Sequence, residues 1–312
     1  MQAGFAHRAG RRENGTAEPD PREARNLGIA FFQTAMLEEA EREFRRILDG
    51  DPDDVRARHY LALIALRRGE ADVAEEQLRS LMDTVGPRTG IRLNLAYALR
   101  LQRRFLDALA LLAEAREHAP DDPRVRLAAG AALLFGGRTG DAARVLADYR
   151  ARLPDDARPP AYYYYCAGLA ALAAGWAEEA DGLVTEGLAG HEESAPLHLL
   201  AGNIAERRAD PVVAERCYQR AAEEDPALAQ AHRNLGDLAY RRGVRAEAMD
   251  HYRRAAEADP SLGDELFLRL GDLHHSRSER DEAIRCWRRA VTLNPGSEAA
   301  RGRLEAVDRA GS

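Results

Sequence analysis

The sequence contains no lysine: all 45 of its basic residues are arginine. That absence removes Schiff-base chemistry and any phosphate loop built on a lysine ammonium. A GC-rich coding sequence accounts for the bias, since it also favours Ala, Gly and Asp. The motifs GxSxG, GxxxxGK, HExxH and GxGxxG are missing too. Cysteine is scarce. Cys166, Cys217 and Cys286 show no CxxC spacing, which excludes a disulfide framework and a thiolate zinc or redox site. Such usage fits a reducing, cytoplasmic setting. Positive charge is in deficit, with a net charge of −7, whereas a nucleic-acid binder needs a basic surface to displace counterions. Long apolar runs are also lacking. Residues 1–20 hold no signal-peptide core. One uncharged run, AYYYYCAGLAALAAGWA at 161–177, is short for a membrane span and carries four Tyr and two Gly, so no membrane insertion is expected.

What is present is periodic. Pro52, Pro87, Pro120 and Pro154 are spaced by 35, 33 and 34 residues, and Pro226, Pro260 and Pro295 by 34 and 35. Ala40, Ala74, Ala108, Ala142, Ala180, Ala214, Ala248 and Ala283 recur at 34, 34, 34, 38, 34, 34 and 35. Gly130, Gly168, Gly202, Gly236 and Gly271 follow the same interruptions. Each period reads as two helices. In residues 229–262, Leu235, Gly236 and Ala239 share one helical face, and Gly243 breaks the helix at a tight turn. Ala248, Tyr252 and Ala255 then mark one face of a second helix, which Pro260 ends. Gly236 and Ala248 permit close backbone approach, while Leu235 and Tyr252 fill the space between layers.

Period, helix pair and signature together resemble the tetratricopeptide repeat. Eight repeats are delimited: 21–54, 55–88, 89–122, 123–156, 161–194, 195–228, 229–262 and 264–297. Residues 298–312 read as a C-terminal cap helix and tail, and residues 1–20 as a disordered tail. Departures are local. Ala62 replaces the signature Gly, Gly86 and Glu192 stand where Pro closes other repeats, and Ala157–Pro160 is a four-residue insert with the character of a hinge. The resemblance implies an all-α, right-handed superhelical solenoid of helix-turn-helix repeats. It also implies that the first helix of each pair lines a concave surface, where relatives bind peptides or partner helices.

On that surface the middle repeats are apolar. Leu93, Tyr97, Leu127, Leu134, Phe135, Tyr162, Tyr165 and Leu169 form a stripe that serves either as a partner groove or as packing between neighbouring first helices. The later repeats are polar there, with Asn203, Arg207, Arg233, Asn234, Arg241 and Arg269. Asn203, Asn234 and Arg269 match three positions of the carboxylate clamp found in some relatives. Leu199 and Glu265 depart from it where basic residues are expected. Histidines and acids are plentiful but not at ligand spacing, so no metal or cofactor is expected. Neither is catalysis, because open solenoids exclude water poorly. The functional expectation is a non-enzymatic adaptor that binds a protein segment in its concave groove. The alternatives are a structural subunit that self-associates or joins a larger assembly, and an accessory to a separately encoded enzyme.

Overall fold

The computed structural model describes residues 21–311, so the tail at 1–20 lies outside the described residues. Seventeen helices and no strand occur among those described. They fall into two compact units that divide after Asp121. The first comprises α1 (Pro21–Gln33), α2 (Leu37–Gly50), α3 (Val55–Arg68), α4 (Ala71–Val85), α5 (Thr89–Leu101) and α6 (Phe105–His118). The second comprises α7 (Pro123–Phe135), α8 (Thr139–Ala151), α9 (Ala161–Ala173), α10 (Ala177–Gly190), α11 (Ala195–Arg207), α12 (Pro211–Glu224), α13 (Ala229–Arg241), α14 (Arg245–Ala258), α15 (Asp264–Ser276), α16 (Arg280–Leu293) and α17 (Glu298–Gly311). Odd-numbered helices from α1 to α15 are the first helices of the eight repeats, even-numbered helices are the second, and α17 is the terminal helix.

Each helix pair is closed by the same turn. One residue after the first helix adopts a left-handed conformation: φ is 77° at Gly69 and 78° at Gly243, but 61° at Arg103, 56° at Ala209 and 62° at Ser278. The next amide reaches back over the helix end, as in Val244 N–H to Ala239 C=O at 2.9 Å and Glu279 N–H to His274 C=O at 3.0 Å. A Cβ in this region costs about 1–2 kcal/mol. Ala209→Gly or Ser278→Gly is therefore expected to stabilise the second unit by about 0.5–1 kcal/mol, read as a higher urea midpoint.

The two helices of a pair meet through one register. A small residue on the first helix faces a large one sixteen positions later on the second. Gly28 faces Phe44, Gly130 faces Leu146, Gly168 faces Val184, Gly202 faces Tyr218, Gly236 faces Tyr252 and Gly271 faces Trp287. All six partners are buried. A Cβ at Gly236 would lie 2.6 Å from the Tyr252 ring, and one at Gly202 only 2.3 Å from the Tyr218 ring, so the ring rests directly on the facing backbone. At the same register Ala62 precedes Leu78 and Ala96 precedes Leu112, all four buried.

The insert at 157–160 lies inside the second unit and is not a break. Helices α8 and α9 pack across it, with Tyr149 and Tyr163 ring centroids 5.1 Å apart. The long uncharged run resolves into α9 and a turn at Gly175. Among the described residues no helix is long and apolar enough to cross a membrane.

Helix α17 packs on the last helix pair. Ala300 and Val307 are buried, and Val307 and Leu304 pack around Trp287. Glu305 occupies the signature-glycine register. Arg303 bonds Asp272 at 3.0 Å, and Arg280 bonds the Val307 carbonyl at 2.8 Å. Truncation after Gly296 is expected to cost on the order of 2–4 kcal/mol, measured as a lower urea midpoint and earlier hydrogen exchange in α15 and α16.

Candidate functional site: the first-helix face

In the second unit the polar first-helix positions form a ladder that repeats with the fold. The residue after each signature glycine accepts a bond from the large residue fifteen positions later. Tyr218 donates to Asn203 at 2.8 Å, Tyr252 to Asp237 at 2.6 Å and the Trp287 indole to Asp272 at 3.2 Å. The same acceptor then takes a donor from the next first helix: Asn234 on Asn203 at 3.1 Å, Arg269 on Asp237 at 2.6 Å and Arg303 on Asp272 at 3.0 Å. Each rung thus joins a second helix, its own first helix and the following one. In the other repeats of this unit Ala131 and Leu169 hold the acceptor position, and the facing residues are Leu146 and Val184, which carry no donor. Donor and acceptor appear together or not at all, as buried polar groups require.

Burial raises the phenol pKa values of Tyr218 and Tyr252. The carboxylates of Glu206 and Asp237, respectively, act in the same direction. Both hydroxyls therefore stay protonated and donating through the physiological range. Arg241 pairs with Glu206, whose carboxylate lies 2.8 Å from the Tyr218 hydroxyl and shares that hydroxyl's one proton with Asn203. Arg269 is bonded by Asp237 at 2.6 Å and Glu265 at 2.5 Å. Asn234 accepts from Gln230 at 2.8 Å. Asn203, Asn234 and Arg269, the three clamp matches, are thus occupied within the fold, and Glu265 sits on Arg269 where a carboxylate ligand would have to bind. Arg207 differs: among the described residues its guanidinium bonds only the Leu172 carbonyl, at 3.0 Å. Arg233 has its nearest carboxylate, Asp237, at 4.0 Å.

The apolar positions separate by unit. In the first, Leu93 is half-buried and Tyr97 is exposed, with the Arg100 guanidinium 4.7 Å above its ring. In the second, Tyr162 is 39% exposed, and Leu127, Phe135, Tyr165 and Leu169 are half-buried. Tyr165 and Leu169 lean on the cluster formed by Leu172, Val184, Leu200 and Ile204. Leu134 is buried and leaves the groove set. It lies one turn after Gly130, on the face turned toward α8. Cys166, Leu172, Leu199 and Leu200 are also buried. Sequence reasoning placed Asn203 on this face but did not identify the row as acceptors or pick out its second-helix donors. The coincidence of Asn or Asp after the glycine with Tyr or Trp fifteen residues on was the available signal.

A cleft of about 320 Å³ opens beside the insert, lined by Arg150, Asp155, Tyr164, Glu186 and His191 among others. Its principal polar groups bond one another: Tyr164 donates to Glu186 at 2.8 Å, Arg150 reaches Glu186 at 3.3 Å, and His191 contacts the Pro159 carbonyl at 2.9 Å. Burial and the Glu186 carboxylate push the Tyr164 phenol up to about 12. Among the described residues no group of three or more His, Cys, Asp or Glu is placed to hold a metal ion.

Two histidines, one in each unit, make stability pH-dependent. His232 is buried, its Nδ1 lies 3.4 Å from His251 Nδ1, and its Nε2 contacts the Pro226 carbonyl at 3.2 Å. Burial lowers the His251 pKa from 6.5, and His232 adds to the effect. In the first unit, burial lowers that of His59, which bonds Asn94 at 2.8 Å. Both folded-state values lie below the unfolded one, so the unfolded chain takes up protons first. Stability from these groups is complete above about pH 7 and is lost as pH falls through 6.5 toward the folded values. His251→Gln is expected to flatten that acid limb for the second unit in urea melts at pH 7.5 and 5.5.

Sequence models of the tetratricopeptide repeat match residues 25–83, 99–159 and 199–262. Among solved structures, the anaphase-promoting-complex hetero-tetramer Cut9–Hcn1 aligns with a TM-score of 0.69 at 13% identity, covering 94% of this chain and 56% of that one. A tetratricopeptide repeat protein from Parabacteroides merdae aligns with a TM-score of 0.51 at 15% identity, covering 91% and 97%. This chain therefore spans little more than half of the Cut9–Hcn1 chain it matches. At such identities the likeness is one of fold. No curated protein sequence matches. The class defined by these helix pairs is the all-α repeat array that serves as a protein-interaction scaffold. The chain belongs to the tetratricopeptide repeat family.

Proposed function

We propose that this chain is a non-catalytic scaffold that binds a segment of a partner protein on the first-helix face of its second unit. The observation that carries the reading is the arrangement of that face. Tyr162 is exposed beside half-buried Leu127, Phe135, Tyr165 and Leu169, while the polar side chains farther along are already fixed by the ladder. A surface whose rotamers are set before binding loses less entropy when a ligand arrives. The polar groups of the ladder are tied to one another and to structural aromatics, an arrangement that supports rigidity rather than proton transfer. A cytoplasmic location fits the cysteine usage.

The test is selection of random dodecapeptides from a phage-displayed library against the intact protein and against Phe135→Ser/Tyr162→Ser. Recurring sequences are expected with the native chain. At least a tenfold loss of their binding is expected in the variant, with the urea midpoint retained to within about 1–2 kcal/mol. Equal recovery by both proteins contradicts this placement of the site.

A further inference from the structure

The charges on the polar part of this face are unevenly paired. Along the ladder, arginines 207, 233, 241, 269 and 303 lie among the carboxylates Glu206, Asp237, Glu265 and Asp272. Every carboxylate is taken. Glu206 holds Arg241, Asp237 and Glu265 hold Arg269, and Asp272 holds Arg303. Two guanidinium groups remain without close compensation. Among the described residues Arg207 bonds only a backbone carbonyl, through a single Nη atom, so the rest of its donor fork is uncommitted. Arg233 has its nearest carboxylate at 4.0 Å, and that carboxylate is already bonded by Arg269 and Tyr252. An electropositive spot on a chain of net charge −7 selects partners by sign.

We infer, on the basis of the scaffold reading above, that the occupant of this face is an acidic–apolar segment of a partner protein, with carboxylates paired to Arg207 and Arg233. Its apolar side chains cover Tyr162, Tyr165 and Leu169 on α9, next to α11. The spacing of the acids follows from the helices. Arg207 is the last residue of α11 and Arg233 the fifth of α13, two thirteen-residue first helices joined by the Asn234–Asn203 bond. Eight residues of helix rise amount to about 12 Å, and neighbouring helix axes lie roughly 10 Å apart. The Cα atoms of the two arginines are thus about 15 Å apart, a distance spanned by about five residues of extended chain. The segment therefore carries apolar residues at one end, then two Asp or Glu about five positions apart.

The peptide selection distinguishes this inference from the scaffold reading. Peptides recovered on the native protein are expected to be enriched at least about threefold in Asp and Glu over the unselected library, with acids four to six positions apart. The same selection on Arg207→Gln/Arg233→Gln is expected to lose the acidic enrichment and keep the apolar one. The glutamine amide that replaces the Arg207 guanidinium retains a donor for the Leu172 carbonyl, and an unchanged urea midpoint verifies the fold. Neutral or basic peptides on the native protein overturn the charge assignment and leave the scaffold reading standing. Acidic enrichment that persists in the variant overturns the assignment to these two arginines. Recovery of no peptide contradicts the scaffold reading itself. Light scattering adds one outcome: a native dimer that Arg207→Gln/Arg233→Gln dissociates makes the occupant a second copy and overturns the partner assignment.

Discussion

Tyr252→Ala is expected to destabilise the second unit by about 3–5 kcal/mol, the range for removing a large aromatic from a closed core. Three losses coincide. The ring is buried on the Gly236 backbone, which cannot move in to fill the void because α13 is held on both sides. The cluster around it, including Ala239, Met249, Ala255, Leu266 and Leu270, loses its central contact. Asp237 loses the hydroxyl bonded at 2.6 Å and keeps only Arg269 as a close partner. Tyr252→Phe isolates the last of these and is expected to cost about 1–2 kcal/mol. The urea midpoint at constant m-value measures both. If Tyr252→Phe costs as much as Tyr252→Ala, the ladder rather than the packing dominates. If both are silent, the register at 236 and 252 is wrong.

Gly202→Ala should also destabilise the second unit despite a gain in helix propensity. Alanine favours a helix interior over glycine by about 1 kcal/mol. The added Cβ, however, would lie 2.3 Å from the Tyr218 ring, and that ring is fixed by bonds to Asn203 and Glu206. Overpacking a fixed ring costs about 1–3 kcal/mol, which leaves a net loss of up to about 2 kcal/mol. The chain itself contains the accommodation: Ala62 faces the register of Leu78 and Ala96 that of Leu112. Gly202→Ala is accordingly expected to cost less in a Tyr218→Leu background than in the native one, a coupling of about 1 kcal/mol in a double-mutant cycle. Additive effects would show that the ring and the glycine do not meet.

Much of the fold was legible in the sequence, because the period is written in residues with backbone consequences. Glycine, alanine and proline recur wherever two helices must touch or one must end. The insert at 157–160 lengthens the loop without separating α8 from α9. The candidate site was legible only in outline. Helical position identifies which side chains line the first-helix face, but it does not say which of them the fold consumes. Leu134 was drawn into the core because its face is set by Gly130. Arg241 and Arg269 are neutralised by carboxylates on neighbouring first helices, 35 and 32 residues earlier in the chain. A reading of one repeat at a time cannot see those pairs, although the periodic pairing of Asn or Asp with Tyr or Trp encodes the rungs they join.

The central claim is that a partner segment lies on the first-helix face of the second unit. A photo-crosslinking residue placed at Tyr162, and separately at Val212 on the exposed side of α12, tests it with a peptide recovered by selection. Crosslinking at 162 and none at 212 is the result this account predicts. Equal crosslinking at both positions, or crosslinking at 212 alone, would contradict it.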